Sequence, residues 1–275
     1  MKLPTDNVKN PSLGQLNWLD LRDDAMAEKL DLSGLPELDD SERAAALSTW
    51  RGRMLNEHVS SRVFDALVAQ AEAAGLTTDL VARLRTFAED ERRHGRMCGA
   101  VVHALGGQAV APLRPLPAVA EHGDCEPLEA LLRNVLSVSC LAETVAVALI
   151  SAERTDDAPD PLHRVLTSIL ADEVRHARFG WTLLDAVAER LTPALRARLG
   201  VWLRLAFAHL ERHELRFLPQ GAAPSRTAER VGVCDGDQSR APFYATVHDV
   251  IIPGLLQRGI PADDAWAARS FDLAA

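Results

Sequence analysis

The 275 residues are enough for one large domain or two small ones, and an apolar content of 47% is ample for a sizeable core. The net charge of −9 argues against a nucleic-acid surface, which needs a basic face, and no uninterrupted run of about 18 apolar residues speaks for a membrane span. Cys98, Cys125, Cys140 and Cys234 form no Cys-x-x-Cys pair, and the start lacks the basic-then-apolar order of a signal peptide. Together these features fit a reducing cytoplasm and exclude a rubredoxin or zinc-ribbon module.

In chain order, residues 1–12 read as a loose arm, and residues 13–30 carry helical periodicity until Ser33-Gly34-Leu35-Pro36 breaks it. Asp40 or Ser41 caps a first long helix that runs to Gly75, and Thr77 caps a second that ends at Gly106-Gly107. Pro112, Pro115, Pro117 and Gly123 mark a long connection. Pro127 then opens a third long helix, which continues to about Glu153. Asp160-Pro161 starts a fourth and Thr192-Pro193 a fifth, which ends at Pro219. A polar loop to about Arg240 precedes two shorter helices, around 242–257 and 261–271.

Two near-identical pentapeptides stand out: Asp90-Glu91-Arg92-Arg93-His94 and Asp172-Glu173-Val174-Arg175-His176. Each contains Glu-x-x-His, a spacing that aims a carboxylate and an imidazole in one direction from a helix. The other two long helices each carry one glutamate on an otherwise apolar or small-residue stripe. Glu57 lies between Met54 and Ser61, and Glu143 between Ser139 and Ala146. Side-by-side packing brings Glu57, Glu91, Glu143 and Glu173 to one level, with His94 and His176 beside them. Four carboxylates buried together repel unless cations stand between them. Two divalent metals balance that charge, and oxygen and imidazole donors suit iron, manganese or a mixed pair. Asp90 and Asp172 can reach the histidine of the opposite motif, and Arg93 and Arg175 can balance them.

The order Glu, Glu-x-x-His, Glu, Glu-x-x-His resembles the ferritin-like di-iron carboxylate superfamily, and its doubled Asp-Glu-x-Arg-His is similar to the oxygen-activating branch. The resemblance covers about 41–191. It implies an all-α fold: a ferritin-like four-helix bundle with a long crossover between the second and third helices. Extra N-terminal (13–30) and C-terminal (192–275) helices complete a single domain over 1–275. It also implies two iron ions with dioxygen as cosubstrate. Cys98 occupies the place of the radical tyrosine of ribonucleotide reductase small subunits, and Ile169 that of the additional histidine of arylamine N-oxygenases, so neither subgroup's signature is present.

Cys98, Gly180 and Ser61 are small residues one turn from the ligands and are expected to leave a substrate cavity, with tight helix packing as the alternative. His209, His213 and Glu214 are read as a polar surface or capping group. The expected function is an oxygen-dependent oxidase or oxygenase acting on a small organic substrate. Its four glutamates would be catalytic, and an external ferredoxin or reductase would supply electrons, since no flavin, nicotinamide or iron–sulfur motif is visible. Several helical faces leave room for a homodimer. The alternatives are iron handling, as ferroxidase or peroxide detoxifier, and an RNA hydroxylase. The long extension past Arg190 counts against the first and the acidic charge against the second.

Overall fold

The computed structural model describes residues 17–28, 30–113, 118–154, 159–221 and 223–272, so the arm expected over 1–12 lies outside the described residues. The chain is predominantly helical. The helix expected over 13–30 does not form in its described part. A strand, β1 (Asn17–Asp20), and a short helix, α1 (Arg22–Ala27), stand there instead. The reason is non-local. β1 pairs antiparallel with a strand in the long connection, β2 (Val110–Leu113), with Asn17 opposite Leu113 and Asp20 opposite Val110. Only Leu19 of β1 is buried, so its local pattern is too weak to announce a strand.

The long helices start where local chemistry dictates. Asp39 accepts from the Glu42 N–H while Glu42 returns a bond to the Asp39 N–H, a reciprocal cap that opens α2 (Asp40–Ala73). α3 (Thr78–Ala104) follows Thr77, and Gly106, at φ 82°, turns the chain out of it. The third long helix, Pro127–Glu153, is continuous but not uniform. It runs as α4 (Pro127–Val135), a π-helical stretch over Leu136–Ala142, and α5 (Glu143–Glu153). α6 (Asp160–Ala186) carries the second pentapeptide, and Thr192 caps α7 (Pro193–Leu215) through a bond from the Leu195 N–H.

Beyond α7 the polar loop is shorter than expected. Ser225 caps α8 (Arg226–Arg230), and Asp235 accepts from the N–H groups of Asp237 and Gln238 to start α9 (Gly236–Thr246). Pro242 therefore sits inside α9, not at a helix start. A π-helical stretch over Val247–Ile251, α10 (Ile252–Leu256) and α11 (Ala262–Ala267) close the described chain.

α2 lies along α3, α6 lies against α5 and the π-helical stretch, and further contacts link α2 to α4 and α3 to α6. Pro127–Glu153, whose most apolar 18-residue window has a mean hydropathy of 2.0, is the one helix among the described residues long and apolar enough to cross a membrane. Charged and polar residues interrupt it, so it contains no unbroken run of about 18 apolar residues. Half of that apolar window is buried inside the protein, against α2, α6, α7 and α9. Glu129, 2% exposed on α4, is held by Arg133 and by Arg198 of α7, each at 2.7 Å. That pairing ties α7 to the buried helix.

The apolar interior falls into two clusters. One contains Phe64, Phe87, Leu141 and Phe179, and the other Met54, Cys98, Ile150 and Ile169. On α2, α3, the Pro127–Glu153 helix and α6, the level between them is where Glu57, Glu91, Glu143 and Glu173 sit. A polar layer thus separates two oily ones.

Candidate metal centre

The six expected ligands converge. Glu57, Glu91, His94 and Glu173 each offer an atom within 4.8 Å of one another, as do Glu91, Glu143, Glu173 and His176. Glu91 and Glu173 belong to both groups, so the Glu-x-x-His glutamates lie between two adjoining positions and Glu57 and Glu143 lie at the outer sides. Among the described residues these are the only groups of three or more His, Cys, Asp or Glu arranged so that they could hold a metal ion. His209, His213 and Glu214 form no such group. His213 stands 3.9 Å from Glu214, and His209 stands edge-on to Phe271.

Both imidazoles present Nδ1 to the carboxylates. His94 Nδ1 lies 3.2 Å from Glu173 and 3.5 Å from Glu57, and His176 Nδ1 lies 2.8 Å from Glu173 and 3.0 Å from Glu91. Their Nε2 atoms point the other way and across. His94 meets Asp172 at 3.1 Å, and His176 meets Asp90 at 3.4 Å. Arg93 pairs with Asp172, and Arg175 pairs with both Asp172 and Asp90. Each pentapeptide therefore orients the histidine of the other through its aspartate. Such an outer carboxylate fixes the ring and leaves the inner nitrogen free for a cation.

Burial and the mutual repulsion of the carboxylates, Glu173 foremost, hold Glu91 and Glu143 well above the usual carboxylate range. Burial opposes ionisation of Glu173 too, yet the hydrogen bond from His176 and the nearby charge of His94 keep its pKa low. Burial alone would neutralise His176, but Asp90 and Glu173 raise it to about 9, and Asp172, Glu173 and Glu57 raise His94. In the metal-free protein, protons do the work that cations would do.

The donor set fits metal ions on an independent observation. Glu91 Oε1 and His94 Nδ1 are shut off from solvent and have no hydrogen-bond partner, although charged groups lie close. Leaving such atoms unpaired costs about 1–3 kcal/mol each, so an arrangement that aims both inward calls for a further partner. Phe64 and Phe87 cover His176, with ring centroids 5.3 and 4.5 Å away, and seal that side.

The expected cavity beside Gly180 is not formed. A Cβ there would lie 2.6 Å from Cys140 Sγ and 2.8 Å from Ser139 Cβ, so Gly180 permits close contact between α6 and the π-helical stretch. Cys98 and Ser61 are buried, and the Ser61 hydroxyl donates to the His58 carbonyl at 2.8 Å. Sequence reading also missed the π-helical stretch that ends just before Glu143. Such insertions recur at functional sites, and Ser139 within it has a buried hydroxyl with no hydrogen-bond partner. A second omission is Arg53. It stands one turn before Glu57, an i,i+4 spacing visible in the sequence, and it pairs with Glu153.

Comparison with protein-family models, curated proteins and solved structures finds no match.

Proposed function

We propose that the protein is a ferritin-like di-iron oxidoreductase that uses dioxygen to oxidise a small organic substrate. One observation carries this: two adjoining ligand groups share Glu91 and Glu173, with unpartnered buried donor atoms turned into them. Glu57, Glu91, His94 and Glu173 would hold one ion, and Glu91, Glu143, Glu173 and His176 the other. When bound, an iron pair supplies dioxygen binding and reduction, with electrons from an external ferredoxin or reductase.

The chain's own residues supply placement and charge. Asp172 and Asp90 hold the His94 and His176 rings so that Nδ1 faces inward. Burial opposes ionisation of Asp172, but the hydrogen bond from His94 and the charge of Arg93 keep it ionised, so the aspartate accepts the ring N–H. Phe64, Phe87 and Phe179 pack together and exclude water on the His176 side. Glu57, with 15% of its side chain exposed, is more open than either histidine or Glu173, and marks the side from which small molecules reach the cluster.

The test is oxygen uptake by anaerobic protein loaded with about two Fe(II) per chain and mixed with oxygenated buffer. The proposal expects rapid uptake, iron that stays bound, and loss of uptake in Glu57→Ala, Glu143→Ala and Glu173→Ala. Ferric iron that leaves the site and accumulates well beyond that ratio would replace the proposal with iron handling. No oxygen uptake by the fully loaded protein would remove dioxygen chemistry altogether.

A further inference from the structure

The helices that carry the two pentapeptides leave a stripe of guanidinium groups along their outer seam. Arg83 and Arg93 stand on α3, and Arg175 and Arg178 on α6. The helices run antiparallel here. Arg93 meets Asp172, Arg175 meets Asp90, and Arg83 lies over Phe179, 5.1 Å from its ring centroid. Arg178 neighbours Arg175 at i,i+3. From Arg83 to Arg93 the stripe rises about 15 Å along α3.

What this seam shows to solvent is positive. Asp90 and Asp172, the acids set into it, turn inward to His176 and His94, with 14% and 10% of their side chains exposed. Arg175, which pairs with both, is 51% exposed. Arg178 is exposed, and Arg83 is half-buried against Phe87 and Phe179. Neither of those two guanidinium groups is hydrogen-bonded or ion-paired among the described residues. Acids on the flanks are already paired, Glu89 and Asp65 with Arg92, and Asp185 with Arg258. In a chain of net charge −9, such a stripe runs against the prevailing sign.

The stripe also reaches the ligand cluster at two points. Arg175 stands 3.0 Å from Asp90, which lies 3.4 Å from His176 Nε2. Arg93 pairs with Asp172, which lies 3.1 Å from His94 Nε2. Each of the two adjoining ligand groups therefore has its histidine joined to the stripe through a single aspartate, and Arg175 links the two aspartates.

We propose that the α3–α6 stripe is the docking surface for an acidic one-electron donor protein, the external reductant of the function proposed above, on which this assignment rests. Opposite charge seats the donor's acidic face over Asp90 and Asp172, and electrons enter through the two histidines. In an oxygenation, one substrate, one dioxygen, two electrons and two protons give the oxygenated product and water. Two donor molecules therefore dock per turnover, and each loses one electron.

The experiment is anaerobic stopped-flow reduction of the full-length, iron-loaded, oxidised protein by a reduced plant-type [2Fe–2S] ferredoxin, an acidic donor. Two bodies of net negative charge repel, so without a local positive surface the rate rises as salt screens the repulsion. The proposal expects the reverse, a second-order rate constant that falls at least about tenfold between about 0.02 and about 0.5 M ionic strength. Arg83→Glu and Arg178→Glu in one chain should lower the low-salt rate at least about tenfold and abolish its fall with salt. Arg178→Glu alone, at an exposed side chain, should act in the same direction with smaller amplitude. Arg204→Glu with Arg212→Glu on α7, an equal change of charge, should leave the rate within about twofold of wild type. Iron content, and oxygen uptake by protein reduced chemically beforehand, should stay at wild-type values in every variant. A rate that rises with salt, that ignores the α3–α6 substitutions, or that the α7 pair lowers equally would overturn the assignment, as would no reduction by ferredoxin at all. Oxygen uptake by the chemically reduced protein separates the two claims. Uptake there alongside any of those outcomes removes the docking surface alone. Absence of uptake removes the oxygen chemistry, and ferredoxin reduction that falls with salt and with the α3–α6 substitutions would still support the surface.

Discussion

At the scale of residues, the site is a balance of charge that protons keep until metal replaces them. Loading metal requires neutral imidazole and ionised carboxylate. His94, His176, Glu91 and Glu143 all have raised pKa values, so metal binding at neutral pH should release protons. A pH-indicator dye in weak buffer should report acidification in step with metal uptake, and no acidification would contradict the protonated apo cluster. The metal-free protein has a further pH signature. His176 titrates near 9 when folded against an ordinary value of 6.5, so the folded state holds its proton more tightly than the unfolded chain does. The stability this brings is full below about pH 6.5 and lost as pH rises through about 9, a change on the order of 3 kcal/mol. Urea midpoints of the apo protein at pH 6.5 and 9 should show the fall, and the metal-loaded protein should not follow it. Asp172→Asn leaves His94 Nε2 facing an amide in place of a carboxylate. Metal affinity should fall about 10- to 100-fold with the six inner residues untouched, as read by competition with a chelating dye.

At the scale of elements, the contact between α6 and the π-helical stretch positions Glu143 against Glu173. Gly180→Ala forces a methyl group into the space of Cys140 and Ser139. It should cost about 1–3 kcal/mol in denaturant midpoint. Cys140→Ala in the same chain should recover part of that loss, since it removes the nearest atom. If the double variant is no more stable than Gly180→Ala alone, the close contact is not the cause. Trp50→Phe deletes the bond to the Val231 carbonyl and should destabilise by about 1–2 kcal/mol.

At the scale of the molecule, the polar layer lies between two apolar clusters contributed by all four long helices. Cations that bind only the folded chain stabilise it by mass action, by about 2.7 kcal/mol at a hundredfold excess over Kd. Removing metal with a chelator should therefore lower the melting temperature, and re-adding Fe(II) or Mn(II) should restore it. Glu57→Ala and Glu143→Ala should each abolish the restoration in part, since each leaves one of the two groups without its outer carboxylate.

The sequence alone determined the features whose cause is local. The cap at Thr192, prolines at helix starts, and the i,i+3 spacing of Glu91 with His94 and Glu173 with His176 depend on residues within one or two turns. The stripe on each long helix likewise marked the level at which the glutamates would meet. Tertiary structure decided what depends on distant partners. β1 exists because β2 lies beside it, and the π-helical stretch packs where Gly180 on another helix leaves room. The loop after α8 is placed by Trp50, which holds its Val231 carbonyl from α2. A backbone pairing or a loop anchor is shared between segments far apart in sequence, and neither segment alone carries the energy that selects it.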